Sequence, residues 1–275
     1  MIILIVLLII MVLFEVYALA LQCRNGHPGL KELKLFRYAH RGYHDKPRIP
    51  ENSMAAFRCA LQNYYGIELD VHLMRDGKLA VIHDSSLKRT AGADVEIEDL
   101  TAEDLAAYRL EGTEEKIPLF SDVLGLFEGK TPLVVELKTA RGNHAELTEA
   151  ACKLLDQYQV SYCIESFDPR CLMWLKKNRP DVVRGQLSHA FLKPGKSGGQ
   201  KKVTCFVLQN LLLNWRTRPD FIAYKLADRN NLSVRLCRSI YKVQEVNWTI
   251  KTKEEMEMAE RLGNLVIFEQ FDPRG

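Results

Sequence analysis

The sequence predicts an α/β fold, a (β/α)8 TIM barrel preceded by one N-terminal transmembrane helix. Three observations carry that expectation. Short apolar runs alternate with stretches of helical periodicity along the chain, and such alternation implies a parallel sheet. Several of these runs are continuously apolar, as strands covered on both faces must be. Residues 1–14 are all apolar, and after Glu15 the apolar character resumes from Val16 to Leu21, enough to cross a bilayer core of roughly 30 Å. About eight parallel strands favour closure into a barrel over an open sheet, and 275 residues is a length at which α/β barrels form one domain.

Taken in order, residues 1–22 read as a membrane anchor, 23–34 as a polar linker and 35–275 as the barrel. Ala18-Leu19-Ala20 could serve as a signal-peptidase site, so a cleaved signal is the alternative. No Lys or Arg precedes the apolar run, however, as a signal peptide requires. The cations Arg24, Lys31, Lys34 and Arg37 follow it. By the positive-inside rule the chain is then a single-pass cell-membrane protein with its body on the cytoplasmic side.

Strand-like runs are Leu35–His40, Gly66–His72, Leu79–His83, Leu133–Lys138, Ser161–Phe167, Val182–Leu187, Phe221–Lys225, Val243–Thr249 and Leu265–Phe268. Asp76-Gly77 between two of them signals a hairpin. Between the strands, Ser53 can cap a helix whose core face is Ala56, Phe57, Ala60, Leu61 and Tyr64. Leu147, Ala150, Ala151, Leu154 and Tyr158 form a second such stripe, and Thr252 with Glu255 fits a capping box.

Composition excludes several classes. With 47% hydrophobic and 27% charged residues the chain can build an ordinary core. A net charge of +3, with no basic stripe interleaved with aromatics, offers nothing to nucleic acid. The seven cysteines show no CxxC spacing, which argues against a disulfide framework or a zinc-thiolate site and for small buried hydrophobes. Nothing in the chain specifies an oligomeric state. Lys193, Lys196, Lys201 and Lys202 lie in a Gly-rich stretch without the GxxxxGK[ST] spacing, so a nucleotide P-loop is not supported. That stretch and the apolar run Phe206–Trp215 read either as a surface loop with a packed helix, or as a membrane-facing basic and apolar lip near a site.

The chemistry concentrates around Glu68-Leu69-Asp70-Val71-His72. In a strand, period-two alternation sends Glu68, Asp70 and His72 to one face and Leu69 and Val71 to the other. Two carboxylates inside apolar sequence are costly unless a cation lies between them, and a hard divalent ion with oxygen ligands fits best. Glu136 and Lys138 are again two apart, and His40 and His83 can move protons near neutral pH. In a barrel, catalytic groups sit at the C-terminal ends of the strands, where all of these residues fall on the predicted layout.

The ordered set His40-Arg41-Gly42, Pro50-Glu51-Asn52-Ser53, Glu68-Leu69-Asp70-Val71, Asp76-Gly77 and His83-Asp84 closely resembles the glycerophosphodiester phosphodiesterase family. Glu136-Leu137-Lys138, Ser166-Phe167-Asp168, Arg179-Pro180, Gly185-Gln186-Leu187 and Trp248-Thr249 are similar to its later markers. The likeness extends over about residues 36–262 and implies a (β/α)8 barrel. It further implies metal-dependent hydrolysis of glycerophosphodiesters to sn-glycerol 3-phosphate and an alcohol. Glu68, Asp70 and Glu136 would hold one Mg2+ or Ca2+, Arg41 and Lys138 would contact the phosphoryl oxygens, and His40 and His83 would be the acid–base pair. Which histidine is the base, and whether water or the glycerol hydroxyl attacks first, stay open. Asn52 is placed near the ion or phosphate, and Trp248 stands as a wall for the glycerol end or as a core aromatic. His72 is not carried over. One departure is clear: the family's usual ending, Gly-Val-Asp-Gly-Ile-Ile-Thr-Asp-x-Pro, is replaced here by Gly263-Asn264-Leu265-Val266-Ile267-Phe268-Glu269-Gln270-Phe271, which points to a different closure of the barrel. Three further readings compete: lysophospholipase D-type cleavage of lysophospholipids at the membrane surface, a non-catalytic barrel that binds phosphorylated polyols or lipids, and a membrane scaffold protein with no divalent-metal dependence.

Overall fold

The computed structural model describes residues 1–274. Its strands are β1 (Tyr38–His40), β2 (Gly66–Leu73), β3 (Leu79–Val81), β4 (Leu133–Leu137), β5 (Tyr162–Ser166), β6 (Arg184–Ser188), β7 (Phe221–Lys225), β8 (Gln244–Ile250) and β9 (Leu265–Phe268). Eight of them pair in parallel in the order β1-β2-β4-β5-β6-β7-β8-β9, and β9 returns to β1. This is a closed (β/α)8 barrel, as the alternation predicts. The divergent ending does not alter closure: β9 pairs in parallel with both β8 and β1, because Leu265–Phe268 keeps an apolar run buried on both faces.

Alternation divides each strand between two cores. Outward residues such as Ile67, Leu69, Val71, Leu133, Val135 and Ile164 pack under the helices. Inward residues near the strand starts, among them Tyr38, Val134, Cys163, Phe221, Val246 and Leu265, fill the barrel. Gly185 is required by that filling, since a Cβ there would lie 2.0 Å from the Phe221 ring. The N-terminal end is therefore a plug, and polar inward residues are confined to the other end.

The crossover helices are α3 (Met54–Gln62), α5 (Phe120–Phe127), α6 (His144–Leu155), α7 (Pro169–Asn178), α8 (Lys202–Gln209) with α9 (Asn214–Thr217), α10 (Leu232–Tyr241) and α11 (Lys253–Arg261). Ser53 caps α3 by accepting from the Ala56 amide at 3.1 Å. Ala56, Phe57 and Ala60 are buried, but Tyr64 is not part of that face. It lies beyond the helix end in a left-handed turn (φ 58°) and is exposed, while Tyr65 takes the buried place. Thr252 caps α11, with Glu255 reaching back to the Lys251 amide at 2.9 Å. All seven cysteines are free, and all but Cys59 are buried.

Two segments differ from the expected layout. The Asp76-Gly77 hairpin forms, but β3 runs antiparallel to β2 and lies outside the barrel. Residues 74–117, including the short helix α4 (Lys88–Ala91), make an excursion with its own apolar cluster of Met74, Ala80, Ile82, Leu87, Ile97 and Leu105. The expected linker is also structured. Arg24 binds Asp220 at 2.5 and 2.6 Å, and α2 (Leu30–Leu33) inserts Leu30 and Leu33 into the barrel's N-terminal end. Leu35, placed in the first strand by its apolar character, is instead exposed in the turn before β1.

Ahead of this foot stands α1 (Ile2–Ala20), a helix long and apolar enough to cross a membrane. Residues 1–16 are exposed along its whole circumference. Only its last turns dock, through Tyr17 Oη to Ser233 Oγ at 2.7 Å, a hydrogen bond from Tyr241 Oη to the Ala18 carbonyl at 2.7 Å, and the buried Leu21.

Candidate active site

Strand register assembles the site. His40 on β1 lies opposite Glu68 on β2, Asp70 lies opposite Glu136 on β4, and Glu136 lies opposite Glu165 on β5. Since the alternate residues face the outer core, these polar side chains all enter the barrel. One oxygen from each of Glu68, Asp70 and Glu136 falls within 4.8 Å of the others, and all three residues are buried.

Cations thread this cluster. Lys138 Nζ sits 3.0 Å from Asp70 Oδ1 and 2.7 Å from Glu136 Oε1. Arg41 Nη1 donates to Glu51 at 2.8 Å, and Arg41 Nε lies 3.5 Å from Asp70. The loop after β1 is shaped for this. Arg41 and Asn52 both hold left-handed backbone, with φ of 55° and 51°, an arrangement that costs energy for residues bearing a Cβ and recurs at functional sites. In return the Arg41 amide donates to Glu68 at 3.0 Å and Asn52 Nδ2 donates to Asp70 at 2.8 Å. Gly42 must be glycine, since it combines φ 80° with a would-be Cβ contact of 2.8 Å to Phe57. Glu51 also receives Lys46 and Arg89, at 2.5 and 2.6 Å, and this surplus of cations holds its carboxyl well below the usual range despite burial.

The histidines are held by carboxylates. His40 Nδ1 is 2.7 Å from Glu269 Oε2, which leaves Nε2 facing Glu68 at 3.8 Å. His83 Nδ1 is 2.5 Å from Asp84 Oδ1, and Arg89 braces Asp84 in turn. Burial is the main force on both rings: it lowers His40 below its ordinary value and pushes His83 down to about 4. Both are therefore neutral near pH 7, the form that can accept a proton. His72, by contrast, is spent on both nitrogens, facing Glu98 at 2.7 Å and the His83 carbonyl at 3.2 Å. It supports the His83 loop.

The charge balance tests whether a cation belongs here. Burial, then repulsion from Asp70 and Glu136, raises Glu68 well above its ordinary value. Burial raises Glu136 to about 7 in spite of Lys138. Asp70 alone is kept ionised, well below its normal range, because Lys138 and Arg41, joined in acid by protonated His83, outweigh its burial. Carboxylates this close cannot all ionise unless further positive charge joins them. An all-oxygen donor set of this kind suits a hard divalent ion, so the residues fit a metal.

Opposite the acids, the mouth is aromatic. Phe167 stacks edge-on to Trp248 and to His189 at 5.7 Å, and His189 lies 3.9 Å from the Phe191 ring. Trp248 Nε1 is buried with no hydrogen-bond partner among the described residues.

The structure thus joins His40, Arg41, Glu68, Asp70, Glu136 and Lys138 in one network. Asn52 belongs to it through Asp70. His83 reaches it from the excursion, not from a barrel strand end as the predicted layout has it, because β3 lies outside the barrel. Trp248 is on the far wall. Two residues escape sequence reasoning. Glu165 enters the barrel beside Glu136, and burial raises its pKa well above the ordinary value. Its spacing of two from Cys163 gave no polar pattern to notice. Glu269 orients His40 and also meets Lys251 at 2.8 Å; it lies in the tail that departs from the family ending, where no motif marks it.

A closed parallel barrel with three clustered carboxylates, two cations and two histidines at one mouth fits a class, the α/β-barrel hydrolases that work with a metal ion. Comparison with known proteins narrows the class. Residues 40–268 match the model of the glycerophosphoryl diester phosphodiesterase family, and the chain belongs to that family. A glycerophosphodiester phosphodiesterase of Caldanaerobacter subterraneus subsp. tengcongensis is 33% identical over 165 residues, covering 56% of this chain and 67% of the relative. A lysophospholipase D of Rattus norvegicus is 33% identical over 122 residues, covering 40% of this chain and only 38% of the relative. Among solved structures, an Oleispira antarctica phosphodiesterase in complex with the product sn-glycerol-3-phosphate superposes with a TM-score of 0.67 at 21% identity, covering 85% of this chain and 92% of the other. That likeness carries the fold.

Proposed function

We propose that this chain hydrolyses glycerophosphodiesters to sn-glycerol 3-phosphate and an alcohol, with His40 and His83 exchanging the protons. The convergence of Glu68, Asp70 and Glu136 within 4.8 Å of one another, beside Arg41 and Lys138, is the observation that carries the reading. These acids would hold one Mg2+ or Ca2+, which when bound would supply Lewis-acid charge to a phosphate oxygen. Arg41 and Lys138 bind the remaining phosphoryl oxygens and stabilise the charge that builds on them as the new P–O bond forms. One neutral imidazole takes the proton of the attacking hydroxyl. The other, which takes up a proton from solvent when the phosphodiester anion binds beside it, delivers that proton to the departing alkoxide. Glu269 fixes His40 by its Nδ1 and Asp84 fixes His83 likewise, so each presents Nε2 to the reacting atoms. Trp248 and Phe167 offer an apolar wall to the glycerol or alcohol end.

Under this reading residues 1–22 are a single-pass cell-membrane anchor, 23–34 tie it to the barrel, and 35–275 form the catalytic body on the cytoplasmic side. A second reading, lysophospholipase D-type cleavage, is favoured by the exposed apolar α1 and by the aromatic wall, which suits an acyl chain.

The test is turnover of glycerophosphocholine and of lysophosphatidylcholine by the full-length chain in detergent micelles. A chelator should abolish turnover of the substrate used, and Mg2+ and Ca2+, re-added separately, identify the ion. Turnover that survives chelation and the Glu68→Ala substitution would refute the reading.

A further inference from the structure

The path of α1 along the body fixes which end of the barrel the apolar helix leaves. Its foot is at the N-terminal end of the strands. There Arg24 binds Asp220 and the Pro180 carbonyl (2.7 Å), and its amide donates to the Pro219 carbonyl (2.9 Å), all in segments that enter β6 and β7. Moving back along the chain, Tyr17 meets Ser233 in the first turn of α10. That turn follows β7 and so lies at the C-terminal end. Helix α1 therefore climbs beside α10 and leaves the body at the site mouth. At ~1.5 Å per residue, residues 2–16 project roughly 20 Å beyond it.

A second surface rises at the same end. Ser188, closing β6, donates to the Leu208 carbonyl at 2.9 Å, and Tyr224, near the end of β7, donates to the Gln209 carbonyl at 3.0 Å. Helix α8 is thus seated on the rim, with only Cys205 buried. It presents Val203 and Phe206, 75% and 52% exposed, while Leu192 stands out from the loop before it. Around them Lys196, Lys201 and Lys202 are exposed and make no ion pair among the described residues. Apolar side chains ringed by unpaired lysines, beside an exposed helix of membrane-spanning length, complement one partner: a bilayer surface bearing anionic headgroups.

We propose that the C-terminal end of the barrel docks on an anionic bilayer, with α1 inserted and the 192–206 lip lying in the headgroup layer, so that the site mouth opens toward the membrane and takes its phosphodiester from there. The inference rests on the reading of α1 as a membrane anchor, and it deepens the functional proposal by naming where the substrate enters.

The full-length chain in nanodiscs built from brominated-acyl lipids tests this without measuring turnover. Tryptophan is placed on the lip by Phe206→Trp, with Val203→Trp as a second lip position, and at the opposite end by Leu35→Trp, at a site 79% exposed. Emission added at 206 or 203 should be quenched at least twofold by brominated phosphatidylcholine containing phosphatidylglycerol, and emission added at 35 should be untouched. Removing the charges with K196Q/K201Q/K202Q, each worth roughly fivefold in surface affinity, should return quenching at 206 to its level in phosphatidylcholine alone. Quenching at 35 equal to that at 206 and 203, or none at either lip position, overturns the proposal. A chain that is inactive on every phosphodiester yet shows the lip pattern keeps the docking and rejects the catalytic reading. An active chain with an unquenched lip does the reverse.

Discussion

The two halves of the barrel mouth are built on different principles. The half formed by β1, β2, β4 and β9 is almost wholly ionisable: His40, Glu68, Asp70, Glu136, Lys138 and Glu269 touch one another at hydrogen-bond or ion-pair distances. Backbone register sets their spacing, so their charges are preorganised before any ligand arrives. The half formed around β5, β6 and β8 is aromatic, with Phe167, His189, Phe191 and Trp248 in edge contact. It has shape and apolar area, and within its aromatic cluster, among the described residues, Trp248 Nε1 is buried without a partner. The first half is suited to bond breaking, the second to holding whatever the phosphate is attached to. Substitutions in the two halves should accordingly divide between kcat and KM.

The largest effect should come from the acids. Glu68→Gln is expected to lower kcat by about three orders of magnitude, or ~4 kcal/mol of transition-state stabilisation, with glycerophosphocholine as substrate. In chelator the same variant should melt at or above the parent temperature. Burial, with Asp70 and Glu136 beside it, holds Glu68 in its neutral form without metal, and the cost of protonating that carboxyl on folding at neutral pH disappears with Gln. A variant that is both inactive and much less stable in chelator would assign Glu68 to architecture instead. Next in size is His83→Gln, expected to cost ~10²–10⁴ in kcat with KM nearly unchanged. Equal loss in both parameters would move His83 to substrate binding.

The same contrast explains what the chain discloses before folding. The ionisable half is legible because register turns local spacing into proximity: Glu68 and Asp70, or Glu136 and Lys138, are two residues apart and must share a strand face. The barrel itself follows from alternation. What escapes depends on long-range geometry. Glu165 alternates with Cys163 and becomes an active-site neighbour only through its pairing with Glu136. Glu269 reaches His40 across a sequence separation of 229, because closing the barrel sets β9 beside β1. The excursion that carries His83 resembles a strand and loop in sequence, since its apolar residues serve a separate small core. Leu30 and Leu33 look like linker residues until the barrel they plug exists.

Glu269 offers a smaller and sharper test. Although burial opposes it, the contacts to His40 and Lys251 hold its carboxyl at about 2. Glu269→Gln should reduce kcat ~10–100-fold, the scale seen when the partner of a functional histidine is lost, and Glu269→Asp should recover part of it. The stability consequence has a definite sign. The folded value lies below the unfolded value of about 4.3, so the contribution is fully present above that pH and lost as pH falls toward about 2. It amounts to no more than about 2–3 kcal/mol, given that Lys251 is half exposed. Acid titration of the melting temperature between these values should be flatter for Glu269→Gln than for the parent. Parallel curves would show that the carboxylate is unpaired in solution.

The smallest effect separates the two substrate readings. Trp248→Ala removes the centre of the aromatic wall but no charge. If the wall only limits the space for a glycerol or choline group, KM for glycerophosphocholine should rise a few-fold, about 1 kcal/mol, the usual value of one aromatic contact. If it guides an acyl chain, the penalty must grow with buried apolar length at ~0.8 kcal/mol per methylene removed from water, so lysophosphatidylcholines of increasing chain length should lose progressively more on substitution. Measuring kcat/KM for the parent and Trp248→Ala across such a series gives a slope. A slope of zero would assign the aromatic half to the glycerol end alone, and a positive slope would make it the lipid-binding counterpart of the charged half.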